Sequence, residues 1–109
     1  IWNGFDETMV AGLALGAHGS IGSTFNCMLP HYKKIFDAFL EGRIDDARQM
    51  QHKANHIMEA FCNVGLIPAV KYVLETQGNP VGSPRSPFME LGEEAKQYVD
   101  RILAENLIK

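Results

Sequence analysis

Ile1-Trp2-Asn3-Gly4-Phe5-Asp6-Glu7 and Gly19-Ser20-Ile21-Gly22-Ser23-Thr24-Phe25-Asn26 are the segments from which the fold can be worked out. Residues 1–4 read as the end of a short strand. The glycines of the second segment leave room for one short buried strand, around Gly19 to Gly22. Small residues there imply tight packing or a ligand close to the backbone. Between the two, Asp6 opens an apolar helix expected to run to about Leu15 and to close at Gly16. Asp6 suits a helix N-cap and Glu7 the positive end of the helix dipole. Met9, Val10, Leu13, Ala14 and Leu15 cover most of the helix circumference, so deep burial is expected. Strand, helix and strand in so short a span make a compact βαβ unit, its strands parallel and its helix the crossover.

Beyond Asn26 the pattern turns helical. Tyr32, Ile35, Phe36, Phe39 and Leu40 form the apolar face of a helix from about Pro30 to Glu41, with Gly42 as its stop. The clearest amphipathic helix spans about Ile44 to Asn63. Its core face carries Ile44, Ala47, Met50, Ala54, Ile57, Met58 and Phe61, and its solvent face Asp45, Asp46, Arg48, Gln49, His52, Lys53 and Glu59. Gly65 breaks it, and a shorter helix runs from about Pro68 to Gln77, with proline tolerated in its first turn. Residues 78–87 are a loop by composition. A last helix, about Gly92 to Glu105, buries Ala95, Tyr98, Val99, Ile102 and Leu103.

Two parallel strands do not make a stable sheet by themselves, and parallel sheets are normally covered by helices on both faces. The N-terminal unit therefore asks for neighbours. The chain opens on apolar residues with no methionine, and the expectation is that a longer chain has been cut there. The organisation is that of the last two βα units of something larger, residues 1–41, followed by a helical extension, residues 42–109.

The composition is that of an ordinary globular protein: 109 residues, 46% hydrophobic, 21% charged, net charge −3. Interspersed charges of both signs give no reason to propose nucleic acid or an anionic membrane as a partner. No apolar run reaches the length of about 20 residues that spans a bilayer. Cys27 and Cys62 sit in apolar stretches without metal-ligand spacing; a disulfide between them is allowed but not required, and they are read as buried free thiols of a reducing, cytoplasmic setting.

Asn3-Gly4-Phe5-Asp6-Glu7 together with Gly22-Ser23-Thr24-Phe25-Asn26 resembles the seventh and eighth strand ends of the N-acetylneuraminate lyases, within the dihydrodipicolinate synthase and N-acetylneuraminate lyase superfamily. The spacing of the segments and the helical extension fit as well, from Ile1 to about Pro87 and more loosely beyond. The resemblance implies an α/β fold, the C-terminal part of a (β/α)8 TIM barrel plus a helical extension, mostly helical as seen in this chain. It implies a Schiff-base aldolase that cleaves N-acetylneuraminate to N-acetylmannosamine and pyruvate, without a cofactor, commonly as a homotetramer. Carried over residue by residue, Gly4 offers a backbone contact, Asp6 and Glu7 accept hydrogen bonds from the polyol tail, and Ser23 exchanges another. Ionised carboxylates bind hydroxyls strongly, so such a division suits a polyhydroxylated ligand. The catalytic lysine and tyrosine, and the loop that grips pyruvate, come in the family from earlier strands. The partner implied is therefore the missing N-terminal part of the barrel, with sialic acid and pyruvate as ligands. Phe5 stands where some relatives have tyrosine, and Ile67 where several have an aromatic near the pocket.

Other readings compete. Asp6 by itself is a helix cap, Glu7 a first-turn residue, and Ser23 and Thr24 turn residues before a helix capped by Asn26. The glycine-rich stretch 16–22 lacks the lysine and ordering of a P-loop. His52 and His56 have a metal-capable spacing but no third ligand nearby, so no metal is expected; His18 and His31 are singletons. Lys33, Lys34, Lys53, Lys71, Lys96 and Lys109 lie on helices or at the terminus, and none is nominated as catalytic. Another aldolase or a dihydrodipicolinate synthase-like enzyme is the related alternative, although Asp6-Glu7 favours a polyol over a small semialdehyde. A non-catalytic helical fragment that docks on a partner chain is the alternative of another class.

Overall fold

A computed structural model describes residues 1–107. Strand β1, Trp2–Asn3, pairs in parallel with β2, Gly19–Ser20, in the register Trp2 to Gly19 and Asn3 to Ser20. The ladder continues through His18 N to Ile1 O (2.8 Å) and Ile21 N to Asn3 O (2.9 Å). The parallel pairing is thus as the sequence predicts. The crossover itself differs. Residues Asp6–Thr8 form a 3-10 turn, and only then does helix α1, Met9–Ala14, begin. Helix α1 is also less buried than its composition suggests: Met9 and Leu13 are covered, while Leu15, beyond its end, is 90% exposed. One face of so short a helix packs on the core, and the other meets no partner among the described residues.

Helix α2, Phe25–Leu40, starts a turn and more before the expected Pro30. Proline in a helix lacks an N–H and collides with the preceding turn. Here the conflict falls beside a kink at Met28, whose φ/ψ of −130°/22° is not helical. Helix α3, Ile44–Val64, follows a tight turn at Gly42 and ends at Gly65, whose φ of 107° a side chain would resist. Helix α4, Leu66–Thr76, carries Pro68 in its first turn. Helix α5, Glu93–Asn106, closes the molecule after an irregular stretch.

The core lies where α2, α4 and α5 pack around α3. Tyr32, Ile35 and Ala38 of α2 face Ala47, Ala54, Ile57 and Phe61 of α3, with Val73 of α4 and Val99 of α5 closing the sides. Alanines at the centre let the axes approach closely, and the large side chains fill the flanks. Each fully buried Ile or Phe stabilises by about 1.5–3 kcal/mol. Ile44, at the start of α3, stays 41% exposed because it precedes the contact with α2. Cys27 and Cys62 are both free thiols; Cys27 is buried, but Cys62 faces solvent, contrary to its apolar sequence surroundings. No single helix is long and apolar enough to cross a membrane.

Candidate functional site

Strand β1 runs into Gly4–Glu7 and β2 into Ile21–Thr24. Because the strands are parallel neighbours, both segments emerge at the same end of the sheet. Asn3 ties them at the outset. Its Nδ2 donates to Ser20 Oγ at 3.0 Å and to Phe5 O at 2.6 Å, and its Oδ1 accepts from Thr8 Oγ1 at 3.2 Å. Ser20 Oγ donates in return to Asn3 O.

Asp6 is only 3% exposed. It does not cap its own helix, as its position after a strand predicts; no side chain caps the 3-10 turn. Its Oδ2 instead accepts from Thr24 N at 2.8 Å and from Thr24 Oγ1 across the gap between the two strand ends. Two donors in one buried place outweigh a single exposed first-turn amide. Thr24 is the N-cap of α2 by position, yet its hydroxyl is taken by Asp6, and Asn26 bonds back to Ser23 O at 2.9 Å without capping. The Thr24 hydroxyl gives its one proton to Asp6, so Tyr32 must be the donor in the 2.7 Å contact between Tyr32 Oη and Thr24 Oγ1. Tyr32 donates to Thr24 and Thr24 to Asp6, a buried chain whose members polarise one another. The Tyr32 ring stacks on Phe25 at 4.0 Å between centroids, and burial pushes its phenol up.

Gly22 is fixed by the same carboxylate. A Cβ there would lie 1.6 Å from Asp6 Oδ1, so only glycine lets the loop pass. Glu7 is half-buried, and its Oε2 is shielded from solvent with no hydrogen-bond partner among the described residues. Such an oxygen is a buried acceptor whose hydrogen-bonding capacity is unmet among the described residues. Ser23 is half-buried between Gly22 and Thr24, and Gly4 is exposed with open space beside it.

Helix α3 reaches the same place from below. Gln51 Nε2 donates to Asp6 O at 3.0 Å and to Asn55 Oδ1 at 2.8 Å, while Gln51 Oε1 accepts from Val10 N at 3.1 Å. Asn55 Nδ2 donates to Glu7 O at 3.1 Å. The backbone of the Asp6–Glu7 turn is thereby held by two side chains of α3.

The sequence matches the Dihydrodipicolinate synthetase family over residues 1–106. This chain belongs to that family. The N-acetylneuraminate lyase from Fusobacterium nucleatum superposes with a TM-score of 0.89 at 30% identity, covering 99% of this chain and 37% of that one. The Clostridium difficile protein CdNal, solved with mannosamine, gives 0.89 at 34%, covering 98% and 37%. The KD(P)GA of T. tenax gives 0.87 at 30%, covering 96% and 37%. The Fusobacterium lyase has also been solved with pyruvate. The chain thus spans little more than a third of the length of these relatives.

In this member of the dihydrodipicolinate synthetase family, Gly4, Asp6 and Glu7 follow β1 and Ser23 follows β2, so all four lie beyond the same end of the strand pair. Its lysines are elsewhere: Lys33 and Lys34 on α2, Lys53 on α3, Lys71 on α4 and Lys96 on α5, while Lys109 lies outside the described residues. His52 and His56 are exposed on α3, and no group of three potential metal ligands is assembled among the described residues. Gln51 and Asn55 escaped the sequence reading. The available signal was that Gln51 falls at the three-and-four spacing of Ala47 and Ala54, a polar residue at a core position.

Proposed function

We propose that this chain is the C-terminal portion of a Schiff-base aldolase with a (β/α)8 barrel, cleaving N-acetylneuraminate to N-acetylmannosamine and pyruvate. In this reading residues 1–41 are the last two βα units and residues 42–109 the helical extension. Gly4, Asp6, Glu7 and Ser23 meet the sugar, and the lysine and tyrosine of the chemistry stand on strands that precede this chain. The enzyme is a cytoplasmic homotetramer that uses no cofactor.

The observation that carries the reading is the pair of acids after β1, with Asp6 bonded to Thr24 after β2 and Glu7 Oε2 left without a partner among the described residues. At the C-terminal ends of parallel strands, where barrel enzymes place their sites, an acceptor held ready for a hydroxyl suits a polyol. The division of labour between the two acids follows. Asp6 spends one oxygen on Thr24 and keeps the strand ends together; Glu7 has the free acceptor.

The test is an assay of the full-length polypeptide that carries this chain. Release of pyruvate from N-acetylneuraminate is expected. Glu7→Ala is expected to raise KM for the sugar acid about tenfold, the worth of one charge-assisted hydrogen bond, with pyruvate binding little changed. An equal loss for both ligands overturns the sugar-binding role of Glu7. The similarity to the T. tenax KD(P)GA supports a second reading, an aldolase for another sugar acid. Preferential turnover of a sugar acid that lacks the N-acetyl group in the same assay would decide for it.

A further inference from the structure

We propose that Gln51 and Asn55 are positioning residues for the sugar site, so that helix α3 sets the geometry of the acceptors although it offers none itself. The inference rests on the aldolase reading above. Its basis is that both amides are spent on the backbone of one turn. Gln51 grips it at two points, Asp6 O and Val10 N, and Asn55 at a third, Glu7 O. The Gln51–Asn55 bond at 2.8 Å locks the two side chains to each other, one turn apart on α3. Gln51 is 7% exposed, and both polar atoms of its amide are committed, Nε2 to Asp6 O and Asn55 Oδ1 and Oε1 to Val10 N.

A 3-10 turn has poorer internal hydrogen bonds than an α-helix, and the first N–H groups of the helix that follows it, Val10 N among them, have no partner within that helix. Without the clamp, the peptides of Asp6 and Glu7 would be free to rotate. The Asp6 carboxylate is anchored at its far end by Thr24, so rotation falls chiefly on Glu7. A displacement of its oxygen by a fraction of an ångström weakens the bond to a ligand hydroxyl. The bonds of Gln51 and Asn55 go to the backbone of Asp6, Glu7 and Val10 and to each other, so the effect is expected on the sugar contacts.

The experiment compares full-length enzyme with Gln51→Met, Asn55→Leu and the control Ile57→Val, a core change on the same helix that touches neither acid. Steady-state kinetics are measured in both directions, with melting temperatures for each protein. Gln51→Met and Asn55→Leu are expected to raise KM for the sugar acid about tenfold, with kcat and the KM for pyruvate within about twofold. Ile57→Val should lower the melting temperature without changing either KM. An unchanged sugar KM in both amide variants, or an equal rise for sugar and pyruvate, overturns the positioning role while leaving the aldolase reading intact. A wild-type enzyme inactive on every sugar acid overturns both, and is recognised because the failure appears before any substitution.

Discussion

Gly22 and Thr24 show how much one loop depends on single atoms. Gly22→Ala would drive a methyl group onto Asp6 Oδ1, and neither Asp6, buried and bonded to Thr24, nor the backbone of the loop is free to yield. Overpacking of this kind costs about 1–3 kcal/mol or more. Thr24→Val keeps the shape but strips a donor from Asp6 and the acceptor from Tyr32, at about 1–3 kcal/mol for the groups left unpaired. Urea denaturation should find both variants destabilised, and Tyr32→Phe less so, at about 1 kcal/mol. A Gly22→Ala protein as stable as the parent would mean that Asp6 does not sit against the loop. The two thiols give a second prediction at this scale. Burial pushes the Cys27 thiol up to about 12, whereas Cys62 is exposed. The thiolate is the reactive form. At pH 8, a disulfide reagent should therefore label Cys62 promptly and reach Cys27 only when the protein is unfolded; equal rates would contradict the burial of Cys27.

Among elements, α2 and α3 meet around a histidine that the sequence left as a singleton. His31 is 2% exposed; its Nε2 donates to Met50 O at 2.8 Å, and its Nδ1 is buried without a partner. Burial first, and the nearby Lys34 and Lys53 besides, hold its pKa below the usual 6.5, against the raising effect of the Met50 carbonyl. The folded state therefore prefers the neutral ring. Above the unfolded pKa this preference contributes its full stability; it is lost as pH falls from about 6.5 through the lower folded value. The expected result is a stability that declines below pH 6.5 with a slope of up to about 1.4 kcal/mol per pH unit for one proton. His31→Gln should flatten that part of the profile; an unchanged slope in the variant would assign the effect elsewhere. The same helices mark what was legible in the sequence. Spacing of apolar residues placed α3, α4 and α5 within a residue or two, because long amphipathic faces have one way to be buried. It misplaced the start of α2, since a proline looks like a beginning and here follows a kink. It misassigned Asp6, because a carboxylate after a strand has a local partner in any sequence, and only the tertiary structure brings Thr24 nearer. Asn55 was invisible for the same reason, and Gln51 showed only as a polar residue at a core position: the backbone they bond lies forty residues and more away in the chain.

For the whole molecule, the uneven distribution of its covering is the fact to explain. The four long helices enclose a core, yet around the strand pair Ile1, Trp2, Phe5, Ile21 and Leu29 are each 60% exposed or more. A groove of about 330 Å³ lined by Trp2, Met9, Phe25, Leu29 and Phe36 opens on the same side. Two strands of two residues each do not hold a sheet without neighbours. In the aldolase reading proposed above, the helices supply stability and the strand ends supply chemistry that depends on a barrel around them. From this comes the last prediction. The chain of residues 1–109, prepared alone, should associate with itself as concentration rises, through apolar surface of a size that seldom stays bare on a monomer. It should also be inert as an aldolase, because each of its lysines among the described residues stands on a helix, away from the strand ends where a keto acid would be held. Incubation with pyruvate and borohydride, which traps a Schiff base as a secondary amine, should leave its mass unchanged, while the full-length polypeptide should gain one reduced pyruvate on a lysine before this segment. A stable adduct on residues 1–109 would place the nucleophile on one of these helices, and the division of labour between the two parts of the chain would have to be redrawn.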